Sequence, residues 1–194
     1  MIRIDRLNIA YGGVPVLKDC SLRVAPGGRV ALMGPSGCGK TSLINAVAKL
    51  VPPDSGQLQV NGRVSYVFQE PALFPWLTAE ENVNVVLSDK PDTLPQARNW
   101  LEAVGLADCL NKYPHQLSGG QKQRVAICRA LAFGGDILLL DEPLKGLDPD
   151  ARDQVARLIV DAWKDRTLLL VTHDLWEAQT LCETVLRYRD GRFE

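Results

Sequence analysis

The chain has 194 residues, 46% of them apolar and 23% charged, which suits a folded domain with a closed core and excludes a disordered or fibrous protein. Lys plus Arg number 22 against 23 Asp plus Glu, for a formal net charge of −1. With no block of like charge, this balance argues against a nucleic-acid-binding surface. Cys20, Cys38, Cys109, Cys128 and Cys182 are scattered and form no C-x-x-C pair, so neither a disulfide framework nor a zinc site is expected, and a reducing cytosol is the natural setting.

The N-terminus lacks an apolar stretch of signal-peptide length, and no run approaches the roughly 20 apolar residues that span a bilayer. Any function at a membrane would therefore pass through a partner. In chain order, Ile2, Ile4, Leu7 and Ile9 alternate with one slip, which predicts a half-buried strand. Leu22 and Val24 suggest a short second strand, and Pro26-Gly27-Gly28 a turn. Arg29 to Met33 reads as a buried strand, Gly34 to Gly39 as a loop. From Lys40 the apolar residues Leu43, Ile44, Val47 and Leu50 fall at helical spacing until Pro52-Pro53. Val64 to Phe68 reads as a further strand.

Between about residues 71 and 133 helical patterns punctuated by prolines predominate, as expected of a helical lobe inserted into a sheet domain. Ile137 to Leu140 and Leu168 to Val171 are continuous apolar runs of the kind that form parallel strands covered on both faces. Helices are predicted at about 150 to 164 and 174 to 183, and a last strand at Thr184 to Tyr188. The expected division is a core lobe of residues 1–70 and 134–194 and a helical lobe of 71–133, within one α/β domain and without a C-terminal regulatory domain.

Gly34-Pro35-Ser36-Gly37-Cys38-Gly39-Lys40-Thr41 fits G-x-x-x-x-G-K-[ST], set between a predicted strand and a predicted helix. Glycines let the backbone wrap around phosphate with its N–H groups inward, and the helix start adds its positive dipole end. Lys40 supplies a point charge to the terminal phosphates, and the Thr41 hydroxyl can ligate Mg²⁺. Further on, the apolar run 137–140 ends in Asp141-Glu142. Alternation along a strand should send these two acids to opposite faces. One can serve the metal; the other can take a proton from an attacking water.

Leu117-Ser118-Gly119-Gly120-Gln121, followed by an apolar-patterned helix, resembles the signature motif of the ABC ATPases. The other motifs of that family follow in the same order. Tyr11 resembles the aromatic that stacks on adenine, and Gln69 the glutamine that senses Mg²⁺ and water and touches the membrane partner. Gly146-Leu147-Asp148 resembles the loop linking two active sites, although Asp148 is equally placed to cap a helix at Pro149. His173 resembles the histidine that contacts the γ-phosphate. The resemblance implies a P-loop NTPase fold with a mostly parallel sheet core, an N-terminal antiparallel β portion and the inserted helical lobe.

For the site, the resemblance implies ATP held by Tyr11, Gly34 to Thr41 and Ser42 of one subunit and by Ser118, Gly119, Gly120 and Gln121 of another. Mg²⁺ would be held by Thr41, Gln69 and Asp141, with Glu142, His173, Lys40 and Gln69 serving catalysis. The pairing implied is head-to-tail, normally between two copies.

The stretch from Phe68 to Val83 resembles that of bacterial importer ATPases for nitrate, sulfonates, taurine and thiamine precursors. The implied partners are an integral membrane permease and, indirectly, an extracytoplasmic solute-binding protein, at the cytoplasmic face of the membrane. Phe74 and Trp76 suit a socket for the permease or the packing of the helical lobe equally. The interval from Lys40 to Gln69 is shorter than in that group, so a trimmed hairpin is expected. An exporter-type ATPase, or a soluble one acting on ribosomes or DNA, is the alternative; neither paired cassettes nor an inserted coiled coil or zinc module supports the latter.

Overall fold

A computed structural model describes residues 1–88, 91–189 and 192–194, which fall into two compact units. The first comprises Met1–Tyr66, Gly135–Glu142 and Trp163–Glu194; the second comprises Val67–Gly134 and Pro143–Ala162. The segment 143–162 thus groups with the second unit.

The first unit begins with β1 (Ile2–Tyr11) and β2 (Val14–Val24), an antiparallel hairpin. The slip in the alternation of β1 is a bulge. Between the pairs Ile4–Leu22 and Leu7–Cys20 the first strand carries one extra residue, and Arg6 takes a φ of 47°. Between Leu7–Cys20 and Ile9–Leu17 the second strand carries the extra one, with Asp19 at a φ of 51°. The two insertions offset each other, so Leu7, Ile9 and Leu17 all remain buried.

β3 (Arg29–Met33) and α1 (Lys40–Val47) lie as expected around the glycine loop. The helix ends before the prolines, because Lys49 turns left-handed at a φ of 61°. Leu50 therefore leaves the apolar face and is exposed. β4 (Ser55–Val60) pairs with β1 and was not expected: Gly56, Gln57 and Gln59 hide it from any apolar pattern, and the strand is largely exposed. Its Gly56 sits where a Cβ would meet the carbonyl oxygen of Arg6 at 2.3 Å, which lets β4 run past the bulge.

β5 (Val64–Val67), β6 (Ile137–Asp141), β7 (Thr167–Thr172), β8 (Thr184–Arg189) and β9 (Arg192–Phe193) complete a second sheet of order β5-β6-β7-β3-β8-β9. β6, β7, β3 and β8 run parallel, and every residue of β6 and β7 is buried, in keeping with their unbroken apolar runs. Leu43, Ile44 and Val47 of α1 pack in one core with Ile2, Leu7 and Ile9 from the antiparallel sheet and Ile137, Leu169 and Val171 from the parallel one. The short strand expected at Leu22 and Val24 is thus the end of an eleven-residue β2. Its first half, Val14-Pro15-Val16-Leu17, is apolar but mostly exposed, and Lys18-Asp19 and the register shifts separate it from the regular alternation of the second half.

In the second unit α2 (Ala79–Asn84) opens with a capping box between Thr78 and Glu81. α3 (Leu94–Glu102), α4 (Gly119–Phe133) and α5 (Pro149–Ala162) follow. Asn82, fully buried, binds both the N–H and the carbonyl of Phe74 and the carbonyls of Leu77 and Thr78, which fixes the turn that carries the two exposed aromatics. The last helix, α6 (Leu175–Leu181), returns to the first unit. No helix among the described residues is long and apolar enough to cross a membrane.

Candidate nucleotide site

Three neighbouring parallel strands deliver the candidate residues of the first unit other than Tyr11. Met33 at the end of β3 is level with Thr172 at the end of β7, and Asp141 at the end of β6 is level with Val171. The glycine loop, His173 and the Asp141-Glu142 pair therefore leave the sheet along one carboxyl edge, where α/β sheets bind their ligands.

The loop is shaped by backbone that only glycine accepts without strain. Gly37 and Gly39 have φ of 81° and 94°. A Cβ on Gly39 would lie 2.6 Å from Cδ2 of Leu17, and one on Gly34 would lie 2.7 Å from Cβ of Tyr188. Gly39 is also the N-cap of α1 and offers no side-chain cap, so the N–H groups of the first turn are available to an anion. Lys40 is nearly buried. Its ammonium donates to the carbonyl oxygens of Gly34 and Pro35, both at 2.8 Å, and stands 3.8 Å from Sγ of Cys38. Pro35, Ser36 and Gly37 form the exposed crest; Thr41 is exposed and Ser42 half-buried.

The two acids face different surroundings. Asp141 is buried, and the phenol of Tyr66 is pushed up in pKa by burial first and by the Asp141 charge second. That phenol donates to Oδ1 of Asn45 on α1 at 2.8 Å. Glu142 leaves β6 at a φ of 47°, anchored by its N–H to the carbonyl of Val171 at 2.8 Å. A left-handed residue other than glycine costs on the order of 1–3 kcal/mol and is tolerated where its surroundings fix it. Here it turns Oε1 to within 3.1 Å of Nδ1 of His173. The glutamate side chain is 15% exposed and the histidine 63%. Tyr11 ends β1, opposite Val14 across the Gly12-Gly13 turn, with its ring half exposed.

In the second unit Ser118 is the N-cap of α4. Its Oγ accepts from the Gln121 N–H at 3.2 Å, and Oε1 of Gln121 accepts from the Ser118 N–H at 2.8 Å. The Gln121 amide also reaches Sγ of Cys109 at 3.5 Å. Nothing lies within 4 Å of a Cβ placed on Gly119, whereas one on Gly120 would meet Cδ2 of Leu147 at 3.3 Å. The signature loop and the Gly146-Leu147-Asp148 loop therefore abut. Asp148 does cap α5, its Oδ1 accepting from the Ala151 N–H at 2.9 Å. Gln69 is exposed, two residues past β5. Phe74 lies under the Arg129 guanidinium at 5.3 Å, while Trp76 is 69% exposed.

The glycine loop with its uncapped helix start, the Lys40 ammonium, and the hard oxygen donors Thr41 and Asp141 fit a nucleoside triphosphate with Mg²⁺. Sequence reasoning missed Tyr66, Asn45, Thr172, Asp174 and Glu177 around these groups. The only sequence signal was the Asp174-x-x-Glu177 spacing, which by itself marks no more than a helix start.

Residues 17–145 match the ABC transporter family. The aliphatic sulfonates import ATP-binding protein SsuB of Zymomonas mobilis is 42% identical over 98% of this chain and 83% of its own length. The taurine import ATP-binding protein TauB of Escherichia coli K12 is 41% identical over 98% of this chain and 80% of its own. Among solved structures, the ATP-binding cassette MJ0796, as a dimer in a post-hydrolysis state bound to ADP and phosphate, superposes with a TM-score of 0.89 at 30% identity, covering 100% of this chain and 97% of that one. With a family match across about two thirds of its length and relatives of this identity along nearly all of it, the chain belongs to the ABC transporter family, as one of its ATP-binding and ATP-hydrolysing cassettes.

Proposed function

We propose that this chain is the motor of a membrane importer for a small solute of the sulfonate or taurine class, and that two copies close head-to-tail on ATP and move a permease. One observation carries the hydrolytic part of this reading: Glu142 and His173 meet at the sheet edge from which the phosphate loop departs. The import part is supported by relatives that bear import names over four fifths or more of their length.

In this mechanism the loop amides and Lys40 bind the phosphates and hold the γ-phosphoryl group in line. Positioning and electrostatics supply most of the acceleration in phosphoryl transfer. The Glu142 carboxylate takes the proton of the attacking water. With Nδ1 of His173 committed to Glu142, Nε2 is the nitrogen left to meet a γ-phosphate oxygen. Mg²⁺, held by Thr41 and Asp141 with Gln69 in support, would neutralise charge on the phosphates. Tyr11 stacks on the adenine. Ser118, Gly119, Gly120 and Gln121 of the second copy cover the γ-phosphate, so ATP joins the dimer and its hydrolysis releases it. The chain works at the cytoplasmic face of the membrane through its permease, which an external solute-binding protein supplies.

The test is to purify the chain from its native cells in mild detergent and identify what accompanies it by mass spectrometry. A multi-span permease with an extracytoplasmic binding protein is expected. Ribosomal or DNA-repair proteins, or a permease of exporter type, would overturn the import reading while leaving the ATPase in place.

A further inference from the structure

His173 has a second support besides Glu142, supplied by its own neighbours along the chain. Thr172, the last residue of β7, is 1% exposed, and its hydroxyl donates to Oε2 of Glu177, which is 3% exposed. The same hydroxyl oxygen accepts from the Asp174 N–H at 3.0 Å. Asp174 in turn is the N-cap of α6, its Oδ1 accepting from the Glu177 N–H at 3.0 Å. Three hydrogen bonds thus close a ring over residues 172 to 177, and His173 projects from inside it.

A merely structural account of this ring is incomplete. Burying a carboxylate is expensive, and an apolar side chain of similar volume at the same place is often neutral or stabilising. The corner already has a helix cap in Asp174, so Glu177 is not needed to start α6. What the ring adds is a fixed backbone on both sides of His173. That matters because the imidazole is 63% exposed and packing cannot hold it. An exposed side chain on a loose backbone samples several staggered wells.

We propose that Thr172 and Glu177 are positioning residues for hydrolysis, holding the β7–α6 corner so that His173 meets Glu142 and the γ-phosphate in one orientation. The inference rests on the reading of His173 as the γ-phosphate ligand. Thr172→Val keeps the volume and removes the hydroxyl. It lowers kcat by about 10- to 100-fold, as misplacement of a reacting group by around an ångström does. The KM for ATP stays near that of the unaltered chain; the melting midpoint falls, because Glu177 loses a partner in a buried place, and Thr172→Ser restores kcat together with the midpoint.

Steady-state hydrolysis, thermal melting and ATP binding are measured for the unaltered chain, Thr172→Val, Thr172→Ser, His173→Ala and the Thr172→Val/His173→Ala pair. In the His173→Ala background Thr172→Val produces no further loss, since there is no imidazole left to position. An unchanged kcat in Thr172→Val, or an equal fold loss in both backgrounds, overturns the inference while His173 keeps its role. Full turnover by His173→Ala overturns the His173 reading and this inference with it. If Thr172→Val does not accumulate as folded protein, Glu177→Gln takes its place. It keeps the volume and weakens the grip on the hydroxyl, so a lower kcat at unchanged KM is again expected, and an unchanged kcat overturns the inference.

Discussion

Nδ1 of His173 stands 3.1 Å from Oε1 of Glu142, so the two side chains are oriented by one shared contact at the ends of adjacent strands. Because the glutamate is mostly buried and the histidine mostly exposed, the acid is the fixed member and the imidazole the one open to solvent.

The fixed member is the one to neutralise first. Glu142→Gln keeps the volume and an oxygen that can accept from the imidazole, but it cannot take a proton. Hydrolysis is expected to fall by about 100- to 10,000-fold, the usual contribution of a general base. ATP binding should persist, so a dimer held by uncleaved ATP should appear in size-exclusion chromatography. Retained phosphate release would move the base to another residue.

Lys40 carries two jobs that one substitution removes together. Its ammonium donates to the carbonyls of Gly34 and Pro35 and so shapes the loop, and in the proposed mechanism its charge binds phosphate. Hydrogen bonds to charged groups contribute about 1.5–3 kcal/mol each. Lys40→Ala should therefore weaken ATP binding by at least tenfold, read by titration with a fluorescent nucleotide. Unchanged affinity would remove the loop from the site.

The parts of this site legible in the sequence are those built from local pattern. The glycine loop could be read because its glycines answer to backbone geometry and to close approach, as the 2.6 Å distance from a Gly39 Cβ to Leu17 makes plain. β6 and β7 could be read because they are buried on both faces and thus apolar throughout. β4 could not, since an exposed edge strand of glycine and glutamine carries no apolar period. The ring of Thr172, Asp174 and Glu177 was equally hidden: a threonine at a strand end and an acid in a helix are ordinary residues until the chain turn brings their side chains together. Asp148 shows the reverse case, a residue of a known loop whose visible contact is a helix cap.

Cys38 gives a chemical probe of the loop that needs no mutation. Its Sγ lies 3.8 Å from the Lys40 ammonium, and it is the one cysteine of the five that is not buried. Alkylation with N-ethylmaleimide should add a group beside the phosphate position and inhibit hydrolysis, with ATP protecting. Mass spectrometry should find the adduct on Cys38 ahead of Cys20, Cys109, Cys128 and Cys182. Full activity after stoichiometric labelling of Cys38 would show that the crest of the loop does not border the nucleotide.

Ser118 separates the stability of a helix from the assembly of a dimer. Within its own chain it caps α4 through Gln121, and Ser118→Ala should lower stability by about 1 kcal/mol. In the proposed head-to-tail pair it would also cover the ATP of the other copy, so Ser118→Arg should abolish hydrolysis with ATP binding intact. The decisive experiment mixes Ser118→Arg with Lys40→Ala, each inactive alone. In a mixed pair one site receives both lesions and the other receives neither, because the intact loop of one copy faces the intact signature of its partner. If subunits exchange freely, half the pairs are mixed and each has one sound site of two, so activity should return to roughly a quarter of the unaltered level in a symmetric dimer. A mixture as inactive as its components would mean that each chain completes its own site, and the head-to-tail closure would have to be abandoned.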